Sequence, residues 1–95
     1  MKTDTAKDLE LVLKSLANKR RIEIFTFLQL KGRRSVVVIA KEIKLSFRST
    51  SKHLQLMYRA GLLAREQDGL VVWYSIDRKN PKAILLAKLF AYSHE

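Results

Sequence analysis

The chain has 95 residues, of which 47% are hydrophobic and none is cysteine. This length allows one domain with a small core, and the lack of cysteine excludes disulfides, thiolate metal sites and cysteine nucleophiles. The formal net charge of +10 favours a polyanionic partner, usually nucleic acid. No apolar run approaches the roughly 18 residues that cross a bilayer, and residues 1–10 lack an export signal, so we expect a cytoplasmic protein without membrane contact.

The first helix is predicted over residues 5–16, with Thr3 or Asp4 as a possible cap. Its apolar face follows the spacing i, i+3, i+4, i+7. That face consists of Leu9, Val12, Leu13 and Leu16. Leu11 lies off this face, where it could be exposed or could meet a second subunit.

A second helix is predicted from its cap Asn18 to about Gly32. It is apolar over a wide arc, which is typical of a central helix. Its first turn carries Lys19, Arg20 and Arg21, although the helix dipole disfavours positive charge there. Two interpretations stay open: these side chains reach a phosphate or a partner carboxylate, or they form a solvated polar end.

Residues 34–43 give conflicting signals. Four β-branched residues at 36–39 favour a strand, whereas Ile39, Ala40 and Ile43 have helical spacing. We predict a very short strand over residues 34–36 and a helix over 37–43. Lys44 and Leu45 then form the turn to the next helix.

The next helix is predicted over residues 46–61, with Ser46 as the N-cap and Gly61 as the stop. Leu54 and Met57 can face a core. The other side carries short polar and basic groups, which suit the DNA major groove because Arg pairs with guanine and Ser bonds to bases or phosphates. These groups are Arg48, Ser49, Ser51, Lys52 and Gln55.

After Gly61 the periodicity becomes that of strands. Strands are predicted over residues 62–67 and 70–76, and Asp68-Gly69 between them predicts a type I′ turn. A helix-turn-helix at about 37–60 followed by a hairpin at about 62–77 is a winged helix. The predicted fold class is therefore mainly α (α+β), with a two-stranded wing.

The last helix is predicted over residues 81–93, where Asn80 caps and Pro81 takes the first helical position. It is apolar nearly all round, and one small domain cannot bury every side of a terminal helix. We therefore expect a homodimer interface built from the first and last helices. The candidate interface residues are Leu9, Val12, Leu13, Ile84, Leu85, Leu89 and Phe90.

From about residue 13 to residue 76 the chain resembles the ArsR-type winged-helix transcription regulators. The residues that carry the resemblance are Leu16-Ala17-Asn18, Arg21-Ile22, Ile24, Ser46, Ser51-Lys52-His53-Leu54, Ala60-Gly61-Leu62, Asp68-Gly69 and Trp73-Tyr74. The resemblance implies a homodimer that represses by occupying an operator, with the helix at 46–60 as the recognition helix. It also implies the DNA-facing positions Arg48, Ser49, Ser51, Lys52 and His53.

We assign base contacts to Arg48, Ser49 and Ser51, and place Lys52 and His53 at the boundary between bases and phosphates. The phosphate candidates are Lys41, Lys44, Arg33 and Arg34.

Two further positions belong to the predicted interface. Phe47 could touch a thymine methyl or fold back on the preceding helix as a staple, and we favour the staple. Arg65 is the only cation of a net-acidic hairpin. Binding of phosphate by the wing through charge is therefore doubtful.

Four features depart from the family pattern: Phe47 and the net-acidic hairpin described above, the stretch that could hold a metal, and Lys44. The stretch that carries metal-sensing cysteines in many members is here residues 35–39, without a thiol or imidazole, and the last helix offers only His94 and Glu95. We therefore predict no metal site and no cofactor. Lys44 stands where the family tends to have Gly in the turn, which is mildly strained if φ is positive.

No residue set indicates an enzyme. His53 lacks a carboxylate at helical spacing to orient it as a base, and there is no Gly-rich phosphate loop. The predicted function is a sequence-specific, dimeric DNA-binding regulator, with double-stranded DNA as partner and no effector indicated. The alternative is a winged-helix interaction or architectural module that binds nucleic acid through charge alone.

Overall fold

The computed structural model describes residues 3–92, with side chains from residue 5 onward. The elements are, in order, α1 (Thr3–Leu16), α2 (Lys19–Lys31), β1 (Arg34–Ser35), α3 (Val36–Ile43), α4 (Phe47–Arg59), β2 (Leu63–Asp68), β3 (Val71–Ile76) and α5 (Pro81–Tyr92). Helices α3 and α4 form a helix-turn-helix, and the β2–β3 hairpin is the wing, which confirms the predicted fold class. The candidate caps Thr3 and Asp4 and the terminal His94 and Glu95 lie outside the described side chains, as does residue 93 of the predicted last helix. No helix among the described residues is long and apolar enough to cross a membrane.

Helix α2 is the centre of the core, as its wide apolar arc predicts. It packs against all four other helices and against β3. Its Ile24, Phe25 and Leu28 are buried, and the Phe25 ring meets the Phe90 ring of α5 edge-on at a centroid distance of 4.9 Å. An edge-to-face pair of this kind adds about 0.5–1.5 kcal/mol beyond its buried area. The last helix is therefore fixed to the core through one side only.

The sheet has three antiparallel strands in the order β1-β3-β2, where the sequence predicted a two-stranded hairpin and a separate short strand. Arg34 pairs with Tyr74, and Ser35 pairs with Trp73. The strand β1 ends at Ser35 because that hydroxyl accepts a hydrogen bond from the Val38 backbone N–H at 3.4 Å and so caps α3. The helix therefore begins one residue earlier than predicted.

The wing turn differs from the predicted type I′ geometry. Asp68 pairs with Val71, so the two central residues are Gly69 and Leu70 rather than Asp68 and Gly69. Gly69 has φ +61°, whereas the φ of Leu70 is not positive. A type I′ turn needs a positive φ at both positions. This sign pattern is that of a type II′ turn, which needs glycine only at its first central position.

Both predicted ends of α4 are confirmed. The Ser46 hydroxyl accepts a hydrogen bond from the Ser49 N–H at 3.1 Å, and the Leu62 N–H donates to the Met57 carbonyl at 3.0 Å beyond Gly61 at φ +85°. At the end of α3, Lys44 takes the left-handed conformation at φ +57°. A side-chain-bearing residue there costs about 1–2 kcal/mol, so the turn keeps the shape of a glycine turn at an energetic penalty.

The apolar residues of α1 and α5 divide between core and surface. Val12, predicted at a dimer interface, is only 3% exposed and belongs to the protomer core, so it has no surface to offer a second protomer. Leu9, Ile84 and Phe90 are half-buried. The exposed ones are Leu11, Leu13, Leu85, Leu89 and Tyr92.

Candidate nucleic-acid interface

Helix α4 presents one exposed polar stripe. With 3.6 residues per turn, positions i, i+4, i+7 and i+11 fall on one side of a helix. We call these residues the basic stripe: Arg48, Lys52, Gln55 and Arg59, all exposed. Leu54, Met57 and Thr50 are fully buried on the opposite side, so the stripe points away from the core.

The sequence located most of this stripe but missed Arg59 and the exposed ring of Tyr58. Both lie in the last turn of α4, and together with Gln55 they line one surface pocket with Arg65 of β2. Arg65 therefore extends the C-terminal end of the basic stripe rather than standing at the wing tip. Arg59 could have been identified from the sequence, because its spacing from Arg48 and Lys52 puts it on the same side of the helix.

The serines and Phe47 occupy the edges of the stripe. Ser49 and Ser51 are half-buried, and the Ser51 hydroxyl accepts a hydrogen bond from the Gln55 side-chain amide at 3.1 Å. Phe47 lies beside α3 yet stays 57% exposed. The N′ position, which a hydrophobic staple uses, belongs to Leu45, which packs against the core. Leu45 therefore occupies the usual staple position, while Phe47 lies against α3 with much of its ring exposed.

His53 was predicted at the DNA surface, but its ring is half-buried against α2. Its Nδ1 lies 3.2 Å from Nη1 of Arg21, and because a guanidinium can only donate, Nδ1 accepts this hydrogen bond. Burial, and then the charges of Arg21 and Arg20, lower the pKa of His53 from its ordinary value of 6.5. The ring is therefore neutral at pH 7 and connects the recognition helix to α2.

Two cations at the start of α2 bind groups within the protomer. Arg20 reaches a carboxylate, as one interpretation of the sequence expected, because its Nη1 lies 3.4 Å from Oε1 of Glu23. Arg21 Nε donates to the Ser15 carbonyl at 2.6 Å, and Arg20 Nη1 donates to the Ile43 carbonyl at 2.8 Å. Ser15 is in the last turn of α1, and Ile43 is the last residue of α3. Carbonyls at a helix C-terminus carry the negative end of its dipole, so they attract these guanidinium groups. The first turn of α2 thus holds the ends of two other helices.

Arg33 contacts the wing although its side chain stays 46% exposed. Its Nη2 lies 2.6 Å from Oε1 of Glu66, and its guanidinium carbon lies 4.4 Å from the centre of the Trp73 ring. Arg34 is half-buried, and its Nη1 donates to the Arg33 carbonyl at 2.7 Å. Of the four predicted phosphate contacts, Lys41, Lys44 and Arg33 are exposed and Arg34 is half-buried.

Comparison with known proteins identifies the family of this chain. The chain is 33% identical over 98 residues to a cadmium resistance transcriptional regulatory protein CadC homolog of Staphylococcus aureus, covering 99% of this chain and 80% of that protein. It is 31% identical over 97 residues to the transcriptional activator HlyU of Vibrio cholerae, covering 100% and 88%. The chain belongs to the ArsR-type family of winged helix-turn-helix transcription regulators. No family model matches it.

Solved structures agree with the family. The homodimeric winged helix-turn-helix domain of Mb0332 from Mycobacterium bovis, a possible ArsR-family regulator, has a TM-score of 0.79 at 28% identity, covering 96% of this chain and 79% of that one. The transcriptional repressor PagR of Bacillus anthracis has a TM-score of 0.79 at 32% identity, covering 93% and 98%. The relatives of this ArsR-type chain are transcription regulators, which confirms the interpretation that it is not an enzyme.

Metal binding was predicted to be absent. Among residues 5–92, no three side chains of the His, Asp and Glu types come together in a group that could hold a metal ion. The lack of a metal-sensing site in this ArsR-type chain stays a prediction.

Proposed function

We propose that this ArsR-type regulator is a cytoplasmic homodimer that recognises a specific operator and represses transcription by occupying it, without a metal or other cofactor. The observation that carries the proposal is the basic stripe, which puts three cations and one amide on the outer face of the second helix of a helix-turn-helix. That helix enters the major groove in this fold class. Mb0332, which is described as homodimeric, supports the proposed dimer. PagR, which is described as a transcriptional repressor, supports the proposed repression.

Within the stripe, Arg48 is the base reader. It lies in the first turn of α4, which is the part of a recognition helix that reaches base edges. Arg can bond to two guanine atoms at once, which contributes about 1–3 kcal/mol of discrimination. Lys52, Arg59 and Arg65 lie further along and supply phosphate contacts, which position the protein without reading sequence.

The dimer rests on the exposed apolar residues of α1 and α5, represented by Leu13 and Leu85. Pairing two protomers removes these side chains from water and sets two recognition helices roughly 34 Å apart, one turn of DNA. Sedimentation equilibrium tests this step. Leu85→Glu should produce monomers, whereas Leu30→Glu, a matched change at an exposed leucine of α2, should leave the dimer intact. A dimer that survives Leu85→Glu and Leu13→Glu would contradict this interface.

Binding-site selection from a random duplex pool at about 150 mM salt tests the proposed recognition, because such salt suppresses binding through charge alone. The wild type should enrich a palindrome. Arg48→Ala should lose about 1–3 kcal/mol on that palindrome and little on random DNA. Arg78→Ala, a matched change at an exposed arginine outside α4, should select the same palindrome with unchanged discrimination.

Two results would overturn the proposal. If no motif is enriched and affinity follows phosphate count alone, the chain is a charge-driven interaction module. If a motif is enriched but the protein raises transcription from a promoter that the motif overlaps, the chain is an activator, as HlyU is named.

A further inference from the structure

An apolar cluster lies at the N-terminal end of α4, and the proposed function places this end of the helix in the major groove. Its members come from three elements and line one cleft of about 250 Å³: Val37 of α3, Phe47 of α4, and Leu70 and Val71 of the wing. All four side chains are exposed, and Leu70 is fully so. An exposed apolar cluster beside a ligand-binding site can contact an apolar group of the ligand.

Phe47 is the member of this cluster that stands next to the base reader. It is the first residue of α4, directly before Arg48. Ser46 already caps the helix and Leu45 already packs against the core, so neither of these roles falls to the Phe47 ring. The ring borders α3, yet 57% of its surface is exposed. This exposed surface is available to a partner.

Duplex DNA offers one apolar group in the major groove, the 5-methyl group of a pyrimidine, which thymine and 5-methylcytosine both carry. We propose that Phe47 binds a pyrimidine 5-methyl group among the base pairs that the first turn of α4 reads. This inference rests on the proposed function and adds to it a residue that determines specificity. Because a phenyl ring neutralises no phosphate, the contact changes sequence preference without changing the salt dependence of binding.

The test uses the selected operator with each thymine of one half-site replaced in turn by uracil, which pairs identically but lacks the methyl group. At one position the wild type should lose about 4-fold in affinity, the value of one buried methyl group. Phe47→Ala should lose less than about 1.5-fold at the same position, and Phe47→Leu, which keeps an apolar side chain, should lose nearly as much as wild type. Leu56→Ala is the matched control, an exposed leucine about two and a half turns further along α4, and should respond to uracil as the wild type does.

A second arm separates the two sources of the methyl group. At the sensitive position the T·A pair is replaced by a cytosine·guanine pair, with and without the 5-methyl group on cytosine. The methylated pair should bind about 4-fold tighter than the unmethylated one with wild type, and equally with Phe47→Ala. Recovery with thymine but not with 5-methylcytosine would assign the contact to thymine alone.

Circular dichroism and the salt slope of binding to random DNA should be the same for Phe47→Ala and wild type, which excludes misfolding. Two patterns would overturn the inference alone: a selected operator in which uracil replaces every thymine without loss, or an equal loss in wild type and Phe47→Ala. Failure to select any operator would overturn the proposed function and this inference with it.

Discussion

Replacing Arg21 with alanine should lower the stability of the fold, because this side chain connects three helices. Its Nε donates to the Ser15 carbonyl of α1 at 2.6 Å, and its Nη1 donates to Nδ1 of His53 in α4 at 3.2 Å. Arg21→Ala therefore removes the link from α2 to the last turn of α1 and to the recognition helix. The Ser15 carbonyl would then lose this donor at a partly buried site, where solvent replaces it incompletely.

The size of the loss follows from these two bonds. A hydrogen bond from a charged donor contributes about 1.5–3 kcal/mol, and half-burial favours the lower end of that range. The longer bond to His53 adds about 0.5–1 kcal/mol. The expected loss is therefore about 2–3 kcal/mol, which for a chain of this length lowers the thermal midpoint by about 10–20 °C.

Urea unfolding followed by circular dichroism at about pH 7.5 measures this loss. The unfolding free energy of Arg21→Lys should lie between those of wild type and Arg21→Ala. An ammonium keeps the charge but lacks the planar guanidinium that donates hydrogen bonds in two directions. Lys19→Ala, at an exposed position in the same helical turn, should change the free energy of unfolding by less than about 0.5 kcal/mol. An unchanged unfolding free energy in Arg21→Ala, together with a salt slope of DNA binding reduced by about 0.9, would refute this account and assign Arg21 to a phosphate.

Two further predictions concern His53 and Gly61. Because the native pKa of His53 is lowered, the free energy of unfolding should fall as pH drops below 6.5 toward that lowered pKa, since the unfolded state then binds a proton that the folded state excludes. His53→Asn, whose amide oxygen can accept the Arg21 hydrogen bond, should flatten this slope, measured by thermal midpoints between about pH 7.5 and 5. Gly61→Ala should cost about 2–4 kcal/mol in urea unfolding, because φ is +85° and the new Cβ would lie 2.8 Å from Nδ2 of Asn80, which donates to the Gly61 carbonyl at 2.7 Å. In an Asn80→Ala background, which removes the crowding amide, Gly61→Ala should cost only the strain of the left-handed backbone, about 1–2 kcal/mol.

Each of these predictions has a contradicting result. The same decline in stability toward low pH in wild type and His53→Asn would show that another group causes it. Equal losses from Gly61→Ala in the wild-type and Asn80→Ala backgrounds would show that the left-handed backbone, and not the contact with Asn80, constrains Gly61.

Local signals predicted the elements well where one residue type decides the backbone. Asn18, Ser46 and Asn80 cap the helices that they were predicted to cap, because their short side chains accept hydrogen bonds from the helix start. Gly69 was correctly placed in the wing turn, but the turn type was wrong. Asp68 joined the strand because its pairing with Val71 continues the ladder to the end of β2, which is a property of two strands together.

The candidate site was predicted where helical periodicity alone was enough. Arg48, Lys52 and Gln55 follow from one amphipathic helix, so their exposure could be predicted without knowing what covers the other side. Periodicity did not predict contacts between separate elements. Arg33, predicted at phosphate, contacts Glu66 and Trp73, which lie more than 30 positions further along the chain.

By itself, the sequence determined the order of helices and strands, the caps, the charge and the polar face of the recognition helix. Each of these depends on residues within about two helical turns of one another, where spacing fixes geometry. The tertiary structure decided which partners the cations have. Arg20, Arg21 and Arg33 bind groups of other elements, while Arg59 and Arg65 came together beside Gln55, because folding brings residues that are distant in sequence close to one another.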